Sequence, residues 1–192
     1  GADLANLMNE AALLSVRFNK KIITMKIVTE SMERVLAGPE RKSRVIDCKT
    51  KDIITFHECG HALVGHKLIH TDPVHKISII SRGRALGYTI SIPEEDKILQ
   101  SKNEMIDNLA MLRAGRCAEE IFFDDITTGA SNDLERATKI ARAIVTQYGM
   151  SEALGTQTYG EQNKEVFLGR NYFEHKQDYS DETANRIDAE VN

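Results

Sequence analysis

Phe56-His57-Glu58-Cys59-Gly60-His61-Ala62-Leu63 lies within a run from Asp47 to Ile69 that reads as one long helix, with Ile53, Ile54, His57, His61, Val64 and Leu68 along one side. Helical geometry gives the histidine spacing its meaning. Residues four apart differ by about 40° around the axis and about 6 Å along it, so both imidazoles reach a single ion. Glu58, next to His57, points slightly off that axis, where a carboxylate holds a metal-bound water and accepts its proton. Zinc lowers the pKa of such a water towards about 7. The H-E-x-x-H pattern therefore predicts metal-assisted hydrolysis of an amide, with His57 and His61 as ligands and Glu58 as the base. Both imidazoles must be neutral to ligate, so acid should strip the ion. His66 and His70 repeat the spacing on the same helix with no glutamate after the first, and read as surface residues near the helix end.

A catalytic zinc needs a third protein ligand and one open position, and no further histidine follows at the spacing of the elongated H-E-x-x-H-x-x-G-x-x-H motif. The ligand must come from a distant part of the chain. Asp133, at a helix start beside the polar loop Thr127-Thr128-Gly129, is one candidate; Glu119 and Glu120 on the preceding helix are others. From spacing alone the choice stays open. Asp133 could equally stabilise its own helix N-terminus through the dipole, and Glu119 could be solvated or hydrogen-bond a ligating imidazole.

Outward from the zinc motif the chain reads as mainly α. Leu4, Leu7, Met8, Ala11, Leu14 and Phe18 recur at intervals of three or four, which predicts a helix over 2–19 with a buried stripe. A second stripe, Ile27, Val28, Met32, Val35 and Leu36, follows Thr24 as N-cap and stops at Gly38-Pro39. The charged stretch Glu40-Arg41-Lys42-Ser43-Arg44 reads as a linker and domain boundary. Val74 to Ile80 and Tyr88 to Ile92 are β-branched and apolar around a loop containing Gly83 and Gly87, which predicts a β-hairpin. Ser101-x-x-Glu104 has capping-box spacing and opens a helix running towards Ile121, weakened at Gly115. Leu134, Ala137, Ala141, Ile144, Val145 and Tyr148 trace another, ending at Gly149. Residues 155–178 carry few apolar side chains apart from Val166, Phe167 and Leu168 and are expected to be mobile, and Ser180 caps a final helix.

Composition sets the outer limits. At 192 residues the chain buries about 70% of its unfolded surface, enough for a core without staples. Lys+Arg 25 against Asp+Glu 29 gives a formal charge of -4, so no global positive field gathers nucleic acid. Cys48, Cys59 and Cys117 are odd in number and form no C-x-x-C, against a disulfide framework and against a thiolate zinc finger. No apolar run approaches the roughly 18 residues of a membrane span, and no signal peptide opens the chain. Amphipathic repeats near the two ends read as a fragment cut through a helix at one or both of them.

Several segments, in order, carry a resemblance. Gly1-Ala-Asp-Leu-Ala-Asn-Leu-Met-Asn-Glu-Ala-Ala, Gly38-Pro-Glu-Arg-Lys-Ser, Phe56-His-Glu-Cys-Gly-His-Ala-Leu, Asp72-Pro-Val-His-Lys-Ile-Ser-Ile-Ile and Arg82-Gly-Arg-Ala-Leu-Gly are followed by Pro93-Glu-Glu-Asp, Gly115-Arg-Cys-Ala-Glu-Glu, Thr127-Thr-Gly-Ala-Ser-Asn-Asp-Leu and Phe167-Leu-Gly-Arg. Over nearly the whole chain this resembles the FtsH family of membrane-anchored AAA proteases. Ser81, Cys59 and Cys117 depart from the family's usual proline, alanine and aliphatic residue. None of these changes removes a catalytic group.

The resemblance implies a helical zinc-protease domain over 39–192, truncated at its C-terminus, preceded over 1–38 by the C-terminal part of an AAA lid. It makes Asp133 the third zinc ligand and Glu119 the hydrogen-bond partner of a ligating imidazole. One zinc per subunit is implied, and ATP and Mg only for the full-length protein, since no G-x-x-x-x-G-K-[ST] loop occurs here. It further implies a homo-hexamer that degrades unfolded or unassembled proteins at the cytoplasmic face of the inner membrane of a bacterium, held by an anchor absent from this sequence. Ile79, Ile80, Gly87 and Tyr88 are candidates for binding an extended substrate as an added strand. A zinc-stabilised assembly module without catalysis is the alternative, and Glu58 argues against it, because a structural zinc has no use for a base.

Overall fold

The computed structural model describes residues 1–41, 45–83, 85–93, 95, 97–160 and 179–192. The fold is mainly α with a two-stranded antiparallel sheet. Helix α3 (Cys48–Lys67) begins at Asp47, whose carboxylate accepts the Thr50 amide at 3.1 Å, and carries the H-E-x-x-H residues on its buried side. Helix α4 (Lys102–Phe123) starts in the expected capping box of Ser101 and Glu104. These two helices form the main packing seam. Gly60 makes it close: a Cβ there would lie 2.6 Å from the Ala114 carbonyl oxygen and 2.9 Å from the Ala118 Cβ. A short 3-10 turn, Thr128–Ala130, then leads straight into α5 (Ser131–Thr146), and α6 (Asp181–Val191) is capped by Ser180.

Strand β1 (Val74–Ser78) pairs with β2 (Tyr88–Ser91) in the register Ser78↔Tyr88, Ile77↔Thr89 and Lys76↔Ile90. The first strand is two residues shorter than its apolar run. Ile79 and Ile80 leave the ladder and are half exposed, because the Ser78 hydroxyl accepts the Ile80 amide and turns the chain. At the other end of the chain, residues 155–160 are held rather than loose. The Tyr159 amide donates to the Thr146 carbonyl, and its ring joins Val145, Leu154, Ile187 and Tyr179 in a small core. The rest of the expected mobile stretch, with Val166, Phe167 and Leu168, lies outside the described residues.

Helices α1 (Ala2–Arg17) and α2 (Met25–Ala37) pack through Ala11, Leu14 and Ile27. The buried stripe predicted for α1 is only half realised: Leu4 is 67% and Phe18 52% exposed, since among the described elements only α2 covers this helix, and on one side. α1 also ends at Arg17, two residues early, with Asn19 in the left-handed region.

The residues directly after α2, through Arg41, are paired, not merely solvated. The Arg41 amide donates to the Ser81 carbonyl at 3.0 Å and the Gly83 amide to that of Pro39 at 3.3 Å. Gly38 and Gly83 both adopt positive φ, and a Cβ on Gly38 would lie 3.2 Å from the Gly83 Cα, so this crossing takes glycine twice. Residues 42–44 lie outside the described residues.

Beside the crossing sits a buried ionic cluster. Arg82, 2% exposed, reaches Glu30 at 2.9 Å, Glu33 at 3.2 Å and Glu40 at 3.4 Å, and its Nε donates to the Tyr88 hydroxyl at 3.1 Å. That hydroxyl donates in turn to Glu33, itself 1% exposed and paired with Lys76. Breaking a buried pair by removing one partner strands a charge in low dielectric. Arg82→Ala is therefore expected to destabilise the fold by about 3 kcal/mol, the low end for such pairs because Lys76 still faces Glu33. Denaturant unfolding reads this directly, and a loss below about 0.5 kcal/mol would place the cluster with ordinary surface pairs.

Candidate metal centre

Two elements deliver the chemistry-bearing side chains to one point. α3 supplies His57 and His61, 8% and 7% exposed, and the first turn of α5 supplies Asp133. The Nε2 atoms of the two imidazoles lie 3.0 Å apart, and Asp133 Oδ2 is 3.3 Å from the first and 3.4 Å from the second. Among the described residues this is the group of metal-ligating side chains.

The outer faces of the rings fix the proton positions. His61 Nδ1 is 2.7 Å from the Met111 carbonyl oxygen, which only accepts, so this nitrogen carries the hydrogen. His57 Nδ1 donates to Glu119 Oε1 at 2.7 Å. In the neutral rings both Nε2 atoms then present lone pairs toward each other and toward a carboxylate oxygen. Three acceptors converging without a hydrogen repel one another, and a cation among them removes the conflict.

α4 leaves room for that cation. A Cβ on Gly115 would lie 2.5 Å from His61 Nε2 and 2.6 Å from His57 Nε2, so the missing side chain is a cradle in front of both nitrogens. The residues present fit a zinc ion with two nitrogen ligands and one oxygen ligand. In the sequence Gly115 registered only as a weak point of a helix. A glycine in mid-helix costs about 1 kcal/mol against alanine, which was the signal that something approaches closely there.

Glu119 is 2% exposed. One of its oxygens holds His57, and the other accepts the Thr127 amide at 2.8 Å, at the start of the turn that carries Asp133 into place. Glu120, the other acidic candidate on α4, is exposed and outside this group. His66 and His70 are exposed, as are Cys48, Cys59 and Cys117.

Glu58, 7% exposed, lies against β2. The Thr89 hydroxyl donates to its Oε2 at 2.8 Å, and a Cβ on Gly87 would come within 2.9 Å of its Oε1. Burial pushes the Glu58 carboxyl up; the Thr89 hydrogen bond and the two imidazoles pull it back only in part, leaving it above the ordinary carboxylate value. Burial also acts on Asp133, but the two imidazoles, once protonated, outweigh it through hydrogen bonding and charge and hold this carboxyl well below its usual range. For His57 burial lowers the pKa, and Asp133 and Glu119 together more than offset that, for a net rise. The two carboxyls are thus pushed apart, one toward a base and the other toward a permanent anion.

Of the other sequence candidates, Gly87 lies against Glu58, whereas Tyr88 is turned to the ionic cluster. Ile79 and Ile80 stand off at the end of β1.

The profile of peptidase family M41 matches residues 44–192. The chain belongs to peptidase family M41. Over 191 residues it is 66% identical to the ATP-dependent zinc metalloprotease FtsH of Slackia heliotrinireducens, covering 100% of this chain and 24% of that protein. Its identity to the protein of the same name from Rubrobacter xylanophilus is 55% over 192 residues, or 100% of this chain and 29% of the relative. For that from Thermotoga maritima it is 54% over 192 residues, 100% and 31%. This M41 chain therefore spans about a quarter to a third of the length of these relatives.

Proposed function

We propose that this chain is the zinc-dependent endopeptidase part of an ATP-dependent protease. The observation that carries the reading is the convergence of His57 Nε2, His61 Nε2 and Asp133 Oδ2 over the side-chain void of Gly115, beside the buried Glu58. His57 and His61 hold the ion through Nε2, and Asp133 through a carboxylate oxygen. Zinc bound there supplies a water acidified to a pKa of about 7 and a Lewis acid for the scissile carbonyl. Glu58 takes a proton from the attacking water and passes it to the departing amine. Glu119 keeps the His57 proton on Nδ1, and Met111 does the same for His61, so that both Nε2 lone pairs stay available.

On this reading residues 1–38 are the C-terminal part of an AAA lid and 39–192 the protease domain. The family match from residue 44 supports the second assignment, and similarity through the first residues to relatives named ATP-dependent supports the first. The substrates are unfolded or unassembled proteins, the assembly is a homo-hexamer, and the site of action is the cytoplasmic face of a bacterial inner membrane, reached through an anchor elsewhere in the protein. ATP and Mg act in the ATPase part. No described helix is long and apolar enough to cross a membrane. Ile79, Ile80, Gly87 and Tyr88 remain the proposed strand-addition surface for substrate, supported by the exposure of the two isoleucines.

Metal removal tests the reading. Casein hydrolysis should vanish when a chelator strips the ion and return with added zinc; hydrolysis persisting in the metal-free protein overturns it. A paired comparison tests the ligand assignment: Asp133→Ala should lose zinc outright, whereas Glu119→Ala should weaken retention by about 10–100-fold. Equal zinc content in the two variants would mean that the wrong carboxylate has been chosen.

A further inference from the structure

Strand β2 faces two ways. Tyr88 and Thr89, as successive strand residues, point to opposite faces of the sheet. On one face the Tyr88 hydroxyl is clamped between Arg82 and the buried Glu33 of α2, at 3.1 and 2.9 Å. On the other the Thr89 hydroxyl meets Glu58 Oε2 at 2.8 Å, with the main-chain carbonyl oxygen of Glu58 at 3.3 Å. Gly87, one residue before Tyr88, closes over the same side chain, since a Cβ there would touch Glu58 Oε1 at 2.9 Å and Cγ at 3.0 Å. The carboxylate is therefore oriented from β2, while α3 supplies only its backbone.

We propose that Thr89 is a positioning residue for Glu58, and that Glu33 of α2, through Tyr88, holds β2 at the height at which Thr89 does this. The inference rests on the assignment of Glu58 as the base. A carboxylate hydrogen-bonded through one oxygen keeps the other free, and Oε1 is the atom under Gly87 with no side-chain donor among the described residues. Losing the Thr89 bond frees the torsions of Glu58. Misplacement of a reacting group by about 1 Å is enough to cost up to about 100-fold in rate. The arrangement also links the protease helices to a helix outside the family match, because Glu33 lies ahead of residue 44.

The zinc-loaded protein is assayed on a peptide substrate for kcat and KM separately, with zinc content and melting temperature measured alongside. Thr89→Val, which removes the hydroxyl and keeps the branched shape, should lower kcat at least about tenfold with KM and zinc unchanged, and Thr89→Ser should restore it. Tyr88→Phe should lower kcat less, again at constant KM. A rise in KM at constant kcat would make β2 a substrate-binding strand alone and overturn the proposal. So would full kcat in Thr89→Val. If Thr89→Val fails to fold, Gly87→Ala decides from the opposite side: it presses on Oε1 and must lower kcat, and unchanged kcat overturns the proposal. Glu58→Gln is assayed in parallel. If it is inactive while Thr89→Val is fully active, the positioning role alone falls; if it is active, the reading of Glu58 as base falls as well.

Discussion

Glu58→Gln is expected to reduce casein cleavage by about 100- to 10,000-fold while leaving zinc content at the parent level. The amide matches the carboxylate in size and still accepts the Thr89 hydroxyl through its oxygen, so packing against β2 survives. What disappears is the ability to accept a proton. Because Glu58 is absent from the converging group of His57, His61 and Asp133, its replacement removes no candidate ligand. Its surroundings also suit a base: burial lifts the carboxyl above the ordinary value, and the imidazoles and Thr89 bring it only part of the way back. The proton-accepting form of Glu58 gains with rising pH, and the raised pKa moves that gain above the pH of an ordinary carboxyl, so activity limited by Glu58 should still climb past the ordinary carboxylate range. Retained cleavage in a zinc-loaded Glu58→Gln variant would end the hydrolytic reading, and a concurrent loss of zinc would mean that Glu58 acts as a ligand.

Gly115→Ala is expected to abolish zinc binding and, with it, proteolysis. By helix propensity alone alanine should stabilise α4 by about 1 kcal/mol. The tertiary site reverses that preference, because the added Cβ would lie 2.5 Å from His61 Nε2 and 2.6 Å from both Nε2 and Cε1 of His57. Neither ring has room to retreat. Each is tied at Nδ1, one to Glu119 and the other to the Met111 carbonyl, at 2.7 Å in both cases. Zinc content by metal analysis and melting temperature separate the two effects: the variant should stay folded and metal-free. A variant that holds zinc at the parent level would show that the ion sits away from the α3–α4 seam.

The zinc helix was readable from sequence because its signals are local. The apolar side of α3 and the four-residue histidine spacing both follow from helical geometry within a few turns. The same is true of Ser101 and Glu104 at the start of α4. Strand ends were less legible. The apolar run Val74 to Ile80 does not show that Ser78 turns the chain at Ile80, since that depends on which backbone groups find a partner. The stripe on α1 shows the opposite failure: periodicity reports which face is apolar, and a neighbour decides whether it is covered.

The chain's order of residues fixed, by itself, two imidazoles and a carboxylate on one side of one helix, because α-helical periodicity follows from backbone sterics alone. It left Asp133, Glu119 and Glu120 level as third ligand on spacing, and only the resemblance separated them. Tertiary structure brought Asp133 against His57 across 76 positions of sequence separation and Glu119 across 62. It also turned Gly115 from a weak helix position into the floor of the candidate metal site, and set Thr89 against Glu58. Each of these depends on how closely α3, α4 and β2 approach, and that distance is set by packing summed over the whole seam.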